Sequence, residues 1–450
     1  MRENKEGSRL RRIPASTLEA TLGRFVPVKG VGLSDRVREF TAWRDDRLRA
    51  SIWPYSRTVE TPVAPRARVG FPERPGEEAE PPTEGICFST QDYLGLSRDP
   101  SVHEAVISAL GRYGPHAGSS PCLTGHTPVS DALRQELSEL TGMEHVVLFP
   151  TGWAAGFGAI TGLMRQWDHI VLDERAHACL AQGAHAATPN VTTAVHLDNG
   201  SVRERLRSIR ATDVGNAILV ITEGVYSMDS DVPALKELQQ ICREYQAVLM
   251  VDVAHDLGAL GPGGTGQAGI QGMLGEIDLV MGSFSKCFAT NGGFVGTCSR
   301  EVEQYLSIYA GSHFFSSALS PLQAAAALQC ARIVRSPEGE SRRADLAQVA
   351  DRLRHALAGR RLTVLGERSA IVPVETGSVA VARLAWSLAE RRGLILAVIE
   401  FPAVPLGAAR FRMQLMSDHR LEDMDTAARV LDESLTEARA VLAGRKGDAT

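Results

Sequence analysis

The residue types in this chain that suit covalent and proton chemistry stand in short polar stations, each directly after an apolar run. Lys286 lies in GSFSKCFATNGGF, behind DLVMGSF at 278–284. An amine at the end of a buried strand is poorly solvated, which lowers its pKa and makes it available as a nucleophile for a Schiff base. Ser283 and Ser285 beside it, among Gly282, Gly292 and Gly293, are small hydroxyl donors of the kind that bind phosphate. Asp252 ends AVLMVDV at 247–253, and His255 follows in DVAHDLGALGPGGTG, a segment whose glycines must turn tightly. In FPTGW at 149–153, Thr151 and Gly152 open a helix, whose first backbone N–H groups form an anion site. His177 in LDERAHACL offers a flat ring, and Glu223, Ser227 and Asp229 in TEGVYSMDSD follow another run.

These stations need a scaffold, and the apolar pattern describes one. HVVLFP at 145–150, DHIVLD at 168–173, NAILVIT at 216–222, AVLMVDV and DLVMGSF are short enough for strands buried on both faces. Between 222 and 247, Val232, Leu235, Leu238, Cys242 and Tyr245 recur at helical spacing, which makes a strand, helix, strand unit. Thr127 caps a helix with Pro128 at its first position; Leu133, Leu137 and Leu140 form its apolar stripe and Gly142 ends it. The pattern predicts an α/β fold with a mainly parallel central sheet and helices on both faces, in which ligands bind beyond the carboxyl ends of the strands. After about 335 come an Arg-rich helix at 341–361, RLTVLG, a helix around 379–391, LILAVIEF, RFRMQLM and a final helix, which read as a smaller C-terminal α+β domain. The segment VETPVAPRARVGFPERPGEEAEPPTEG at 59–85 is rich in proline and charge and reads as an extended surface linker rather than helix or buried strand. Three segments are therefore expected: an N-terminal extension with a Pro-rich linker (1–85), a large cofactor-binding domain (86–335) and a small domain (336–450).

Composition narrows the function classes. With 44% hydrophobic and 22% charged residues, the 450-residue chain is neither disordered nor a coiled coil. The 48 basic and 53 acidic side chains leave a net charge of −5, so there is no electrostatic case for nucleic acid as partner. Seven cysteines without a CxxC pair argue against a disulfide framework or zinc ribbon, and no metal is expected. Apolar stretches such as AVLMV at 247–251 fall far short of the roughly 20 residues of a membrane span, and MRENKEGSRLRRIP lacks an apolar signal core. Cytoplasmic residence is the expectation.

Taken together, the stations supply what pyridoxal 5′-phosphate requires: a Schiff-base lysine, a carboxylate for the ring nitrogen, donors for the 3′-oxygen, a ring to stack on its face and a phosphate cradle. The chain resembles the α-oxoamine synthase family of fold-type-I pyridoxal-phosphate enzymes (aspartate-aminotransferase-like) from STQDYLGLSRDP at 89–100 to RFRMQLMSDH within 410–419. The likeness is strong in LFPTGWAAGFGAI, ITEGVYSMDSDVPAL, VDVAHDLGALGPGGTG and GSFSKCFATNGGF; EGVYSM and the GGF ending are similar to bacterial serine palmitoyltransferases and 8-amino-7-oxononanoate synthases. The resemblance implies Lys286 as the Schiff-base lysine, Asp252 at the pyridine nitrogen, His255 and Ser227 at the 3′-oxygen, and His177 on the ring face. It further implies Gly152, Trp153, Ser283 and Ser285 at the phosphate, with Ser316 in HFFSSALSP reaching in from the second subunit of a homodimer with shared active sites. Arg412 would hold the amino-acid carboxylate, with Arg410 as the fallback.

The sequence also departs from the family pattern. Val253 replaces a glutamate, Ser120-Pro121-Cys122 stands where many members carry an arginine after the serine, and Ser130 stands where a histidine is common. The implied activity is a decarboxylative Claisen condensation of serine, glycine or alanine with an acyl thioester, carried by coenzyme A or an acyl carrier protein. Its products are an α-amino ketone, carbon dioxide and free thiol. Lys286 would move the Cα proton, Arg412 and His177 would orient the β-keto acid for loss of carbon dioxide, and His255 would polarise the incoming carbonyl. An aminotransferase needs the same apparatus and is the nearest rival; a catalytically silent subunit of a synthase complex is another.

Overall fold

The computed structural model describes residues 13–72 and 81–447; the charged start at 1–12 and residues 73–80 of the Pro-rich segment lie outside the described residues. The chain divides into two compact units, one holding the segment before Gln91 together with that from Gln348 onward, the other spanning Gln91–Ala347. The sequence reading drew three segments. It separated the N-terminal extension from the small domain, but both contribute to one sheet.

The N-terminal part of the first unit contains helices Ala15–Glu19 and Leu33–Arg49 and strands β1 (Thr58–Val59), β2 (Arg66–Gly70) and β3 (Thr83–Cys87). Trp43 and Trp53 pack edge to face with centroids 5.8 Å apart, inside a cluster with Leu48, Phe25, Phe40 and Tyr55. Two buried arginines hold the first helix by its C-terminal carbonyls: Arg47 donates to Thr17 O (2.9 Å) and Ala20 O (2.6 Å), and Arg383 donates to Leu18 O. Arg383 is paired with buried Glu400, which also accepts from Tyr55 Oη at 3.0 Å.

The second unit is built on seven strands: β4 (His145–Phe149), β5 (His169–Asp173), β6 (Val191–Ala194), β7 (Ile218–Glu223), β8 (Val248–Asp252), β9 (Leu279–Ser283) and β10 (Gly293–Thr297). Their order is β4-β10-β9-β8-β7-β5-β6. From β9 to β6 every pairing is parallel, whereas β10 runs antiparallel to both β9 and β4. The five strands expected from the apolar runs are present. The two others, β6 and β10, are short and Thr- or Gly-rich (VTTA, GFVGT), and such runs carry no distinctive apolar pattern. Helix Pro128–Thr141 has the expected Thr127 cap and Gly142 stop, and helix Leu235–Glu244 buries Leu235, Leu238, Ile241 and Cys242. The core forms where Ile170, Leu172, Leu219, Ile221, Met250 and Met281 meet helices Gly152–Leu163 and Ala178–Ala187.

The C-terminal part of the first unit adds β11 (Ile371–Gly377), β12 (Leu394–Ile395), β13 (Ala397–Ile399) and β14 (Ala409–Gln414), with helices Val379–Arg391 and Leu421–Gly447. One sheet has the order β11-β14-β13. The other is β1-β2-β3-β12, in which β12 lies parallel to β3. This second sheet corrects the reading of 59–85 as a linker without buried strand. In β2 the arginines at 66 and 68 face solvent while Ala67 and Val69 are buried, so the charged residues fall on alternate positions of a half-buried strand. Composition hid an alternation of period two. Among the described residues, no helix is long and apolar enough to cross a membrane.

Candidate active site

Four of the polar stations lie at the carboxyl ends of adjacent parallel strands, and the register aligns them. Glu223, the last residue of β7, is opposite Asp252, the last of β8, and Asp252 is opposite Met281 on β9, five residues before Lys286. Asp252 is buried and its Oδ1 accepts the backbone N–H of Ala254 at 2.9 Å. Burial raises its proton affinity, while the positive charges of Lys286 and His177 pull it back toward the ionised form. Lys286 and Asp252 therefore share one electrostatic environment, as a single ring gripped between them requires.

Glu223 is also buried, and its Oε1 accepts the His177 backbone N–H at 2.6 Å. Burial and the neighbouring Asp252 charge push Glu223 well above the carboxylate range. Two buried carboxyls side by side cannot both ionise cheaply, so each raises the other's cost of ionising, and the nearby Lys286 and His177 charges favour the ionised form of Asp252. Sequence reasoning noted Glu223 without a role; that role follows from strand register.

His177 is exposed and caps helix Ala178–Ala187, its Nδ1 accepting from the Cys179 N–H at 3.3 Å. The cap fixes the ring's attachment at the site rim. His255 is buried, and its Nδ1 lies 2.8 Å from the hydroxyl of Tyr93, a fully buried side chain. Tyr93 was not singled out from the sequence. The only available signal was its position inside the resembling segment STQDYLGL. Ser227 is buried on the loop that leaves β7.

The phosphate station is built from backbone. Thr151 caps helix Gly152–Leu163 by accepting the Ala154 N–H at 3.0 Å, and the first-turn N–H groups of Gly152 and Trp153 have no intrahelical acceptor. A Cβ on Gly152 would stand 2.5 Å from Ser283 Oγ, and one on Gly293 would stand 2.6 Å from the Gly152 Cα. Only glycine lets helix mouth and strand ends approach so closely. Ser283 Oγ and Ser285 Oγ are 2.8 Å apart, and the Ser285 N–H reaches Ser283 Oγ at 3.3 Å. Hydroxyls, helix N–H groups and absent side chains together make a cradle suited to an anion of phosphate size. Trp153 itself stacks on Phe157 at 4.9 Å.

Ser316 is half-buried in the turn after helix Gly311–Phe314. Arg412 and Arg410 belong to the other unit, on β14, where Arg410 is buried and donates from Nε to Ala408 O at 3.1 Å. The donor set of the second unit, with a lysine, a buried carboxylate beside it and a cradle that a Cβ would fill, fits pyridoxal phosphate.

Residues 83–431 match the model of the aminotransferase class I and II family. The 8-amino-7-oxononanoate synthase of Salmonella arizonae is 36% identical over 347 residues, covering 77% of this chain and 88% of the relative. The chain belongs to the α-oxoamine synthase family of pyridoxal-phosphate enzymes. The corresponding synthase of Salmonella typhimurium is 37% identical over the same shares. Among solved structures, this α-oxoamine synthase superposes on the S. paucimobilis serine palmitoyltransferase with bound PLP and myriocin at a TM-score of 0.83 and 26% identity, covering 92% of this chain and all of that one. The Sphingomonas wittichii serine palmitoyltransferase gives 0.82 and 26% over the same shares.

Proposed function

We propose that this α-oxoamine synthase joins a small amino acid, serine, glycine or alanine, to an acyl thioester with loss of carbon dioxide and release of the thiol. The observation that carries this reading is the shared charge environment of Lys286 and Asp252 at the ends of adjoining strands, in a chain 36–37% identical to enzymes of one condensation chemistry. Pyridoxal phosphate, when bound, supplies the aldehyde that takes up the substrate amine and the ring that accepts the electron pair left at Cα. Gly152 and Trp153, through their N–H groups, and Ser283 and Ser285, through their hydroxyls, hold the phosphate. Asp252 keeps a proton on the ring nitrogen, and its burial makes that charge interaction strong. Ser227 and His255 hold the 3′-oxygen, and His177 covers the ring face. Lys286 Nζ takes the Cα proton and returns one after carbon dioxide has left. Arg412 receives the amino-acid carboxylate, and His255 polarises the thioester carbonyl.

A homodimer with shared sites, to which Ser316 contributes from the partner, suits the exposed apolar surface of the second unit. Tyr305, Ile308, Tyr309 and Phe315 are 39%, 50%, 58% and 87% exposed, a surface that a monomer has little reason to carry. The sites and the two thioester carriers, coenzyme A and acyl carrier protein, are tested by incubating the purified enzyme with each amino acid against each acyl thioester. Thiol release with carbon dioxide and an α-amino ketone is the expected result. Amino transfer to an oxo acid without thiol release would make the protein an aminotransferase, and the absence of any turnover would favour a silent subunit.

A further inference from the structure

The structure assigns His196 as a positioning residue for the cofactor site: a doubly bonded imidazolium that holds the Ser227 loop against the strand ends bearing Asp173 and His177. His196 lies two residues beyond the end of β6. Its Nδ1 lies 2.9 Å from Asp173 Oδ1 at the end of β5, and its Nε2 lies 3.0 Å from Asp231 Oδ2 on the loop that leaves β7. β6, β5 and β7 are consecutive in the sheet, so one ring ties three neighbouring strand ends together. A neutral histidine has one donor and one acceptor nitrogen and leaves one of these carboxylates facing a lone pair; only the protonated ring satisfies both. For the same reason the ring has no lone pair for a metal ion, although Asp229 and Asp231 stand near it.

The charged and titratable groups facing the ring are consistent with this state. Asp173 and Asp231 are on its two nitrogens, and Glu174 Oε1 accepts the His196 backbone N–H at 3.4 Å. Tyr226 meets the ring edge to face at 4.5 Å, and Asp229 is neutralised by Arg175 at 2.9 Å. Burial opposes the positive charge, but the bonds and charges of Asp173 and Asp231 outweigh it and raise His196 to about 9. The loop so held is closed on itself, Tyr226 N–H donating to Asp231 O at 3.0 Å and Ser230 N–H to Tyr226 O at 2.8 Å. Tyr226 Oη also lies 2.8 Å from Thr222 Oγ1. Ser227 thus sits in a small ring of chain tied outward through His196 and through the Asp229–Arg175 pair. His177 shares the His196 tether, because Asp173 also accepts the Arg175 N–H at 2.8 Å at the start of the turn that leads to it.

The inference rests on the cofactor reading above, and its test separates the two. Pyridoxal-phosphate affinity is measured on the full chain by absorbance and tryptophan quenching, for wild type, His196→Gln, Ser227→Ala and the double variant. His196→Gln is expected to weaken binding about tenfold, the size of a lost charge-assisted bond, and to add less than that single-variant loss once Ser227 is gone. Unchanged affinity, or a full additional loss in the double variant, would overturn the assignment. Should His196→Gln fail to fold, Asp231→Asn decides. That variant keeps an acceptor but removes a charge, so the loss of the cofactor absorbance at alkaline pH should set in at a lower pH than in wild type. An unmoved spectrum would refute the role of His196, whereas a wild-type protein that binds no pyridoxal phosphate would instead defeat the cofactor reading and remove the basis of this one.

Discussion

At the scale of single residues, the site depends on which charges are buried beside which. Lys286→Ala is expected to abolish condensation while leaving the far-ultraviolet circular dichroism unchanged, because the lysine is only half-buried and lies outside the core. Measurable turnover by that variant would remove it from the chemistry. Asp252→Asn removes the charge that sustains a protonated ring. The variant should lose exchange of the substrate Cα hydrogen in heavy water by at least about a hundredfold, which corresponds to roughly 3 kcal/mol of lost stabilisation. Mass spectrometry of recovered substrate reads this directly. The residue types at these positions were legible in the sequence, since a lysine, an aspartate and two serines after apolar runs are an unusual set. Glu223 and Tyr93 were not legible in that way. The raised proton affinity of Glu223 depends on the β7–β8 register, and the bond between Tyr93 and His255 joins residues 162 positions apart.

At the scale of elements, close approach governs the phosphate station. Gly152→Ala would place a methyl group 2.5 Å from Ser283 Oγ, so the helix mouth must move away from β9. The expected outcome is a loss of pyridoxal-phosphate affinity of at least tenfold, measured by fluorescence titration, with a fall in Tm of a few degrees. The short N-terminal helix poses a different problem, because two buried guanidinium groups and one carboxylate hold it. Burial, followed by the charge of Arg383, lowers Arg47 to about 8. Arg47→Ala would leave the Thr17 and Ala20 carbonyls without these donors and remove a cation lying 3.5 Å over the Trp43 ring. A cost of about 3 kcal/mol in denaturant unfolding is expected. Residues 66–70 show why the sequence misled here. Charge and proline dominate composition, but burial in a strand concerns only every second residue.

At the scale of the whole molecule, the pH dependence of stability reflects buried groups pulling in opposite directions. Burial raises Asp256 from 3.8 to about 7, against backbone N–H bonds led by that of Gln267 and with Asp252 nearby. A carboxyl that binds its proton more tightly when native makes the folded state hold more protons between about pH 4 and 7, so its contribution to stability falls as pH climbs through that window. His196 is raised to about 9; its contribution is complete below its ordinary 6.5 and is lost as pH rises through 9. Asp256→Asn should therefore flatten the decline between pH 4 and 7 and stabilise the protein by about 2 kcal/mol at pH 8. Thermal unfolding across pH checks this, and an unchanged slope would mean that Asp256 is ionised throughout. For assembly, Tyr309→Glu with Phe315→Glu should convert the proposed dimer to monomer in sedimentation and lower activity at least tenfold, because each site would lose Ser316 of the partner.

Residue types and local patterning already carry the chemistry on offer: a lysine, a carboxylate, imidazoles and hydroxyls at the ends of strands that apolar runs announce, together with the family whose motifs they compose. Local pattern carries such information because strand burial and helix capping are decided by residues close together in the chain. Packing of distant segments was needed to set the raised proton affinity of Glu223 beside Asp252, the antiparallel run of β10, the sheet that the charged segment before Cys87 completes with β12, and the histidine that joins three strand ends. Each of these depends on through-space contact between distant segments, where the dielectric environment and register are set by packing and leave no trace in local residue order.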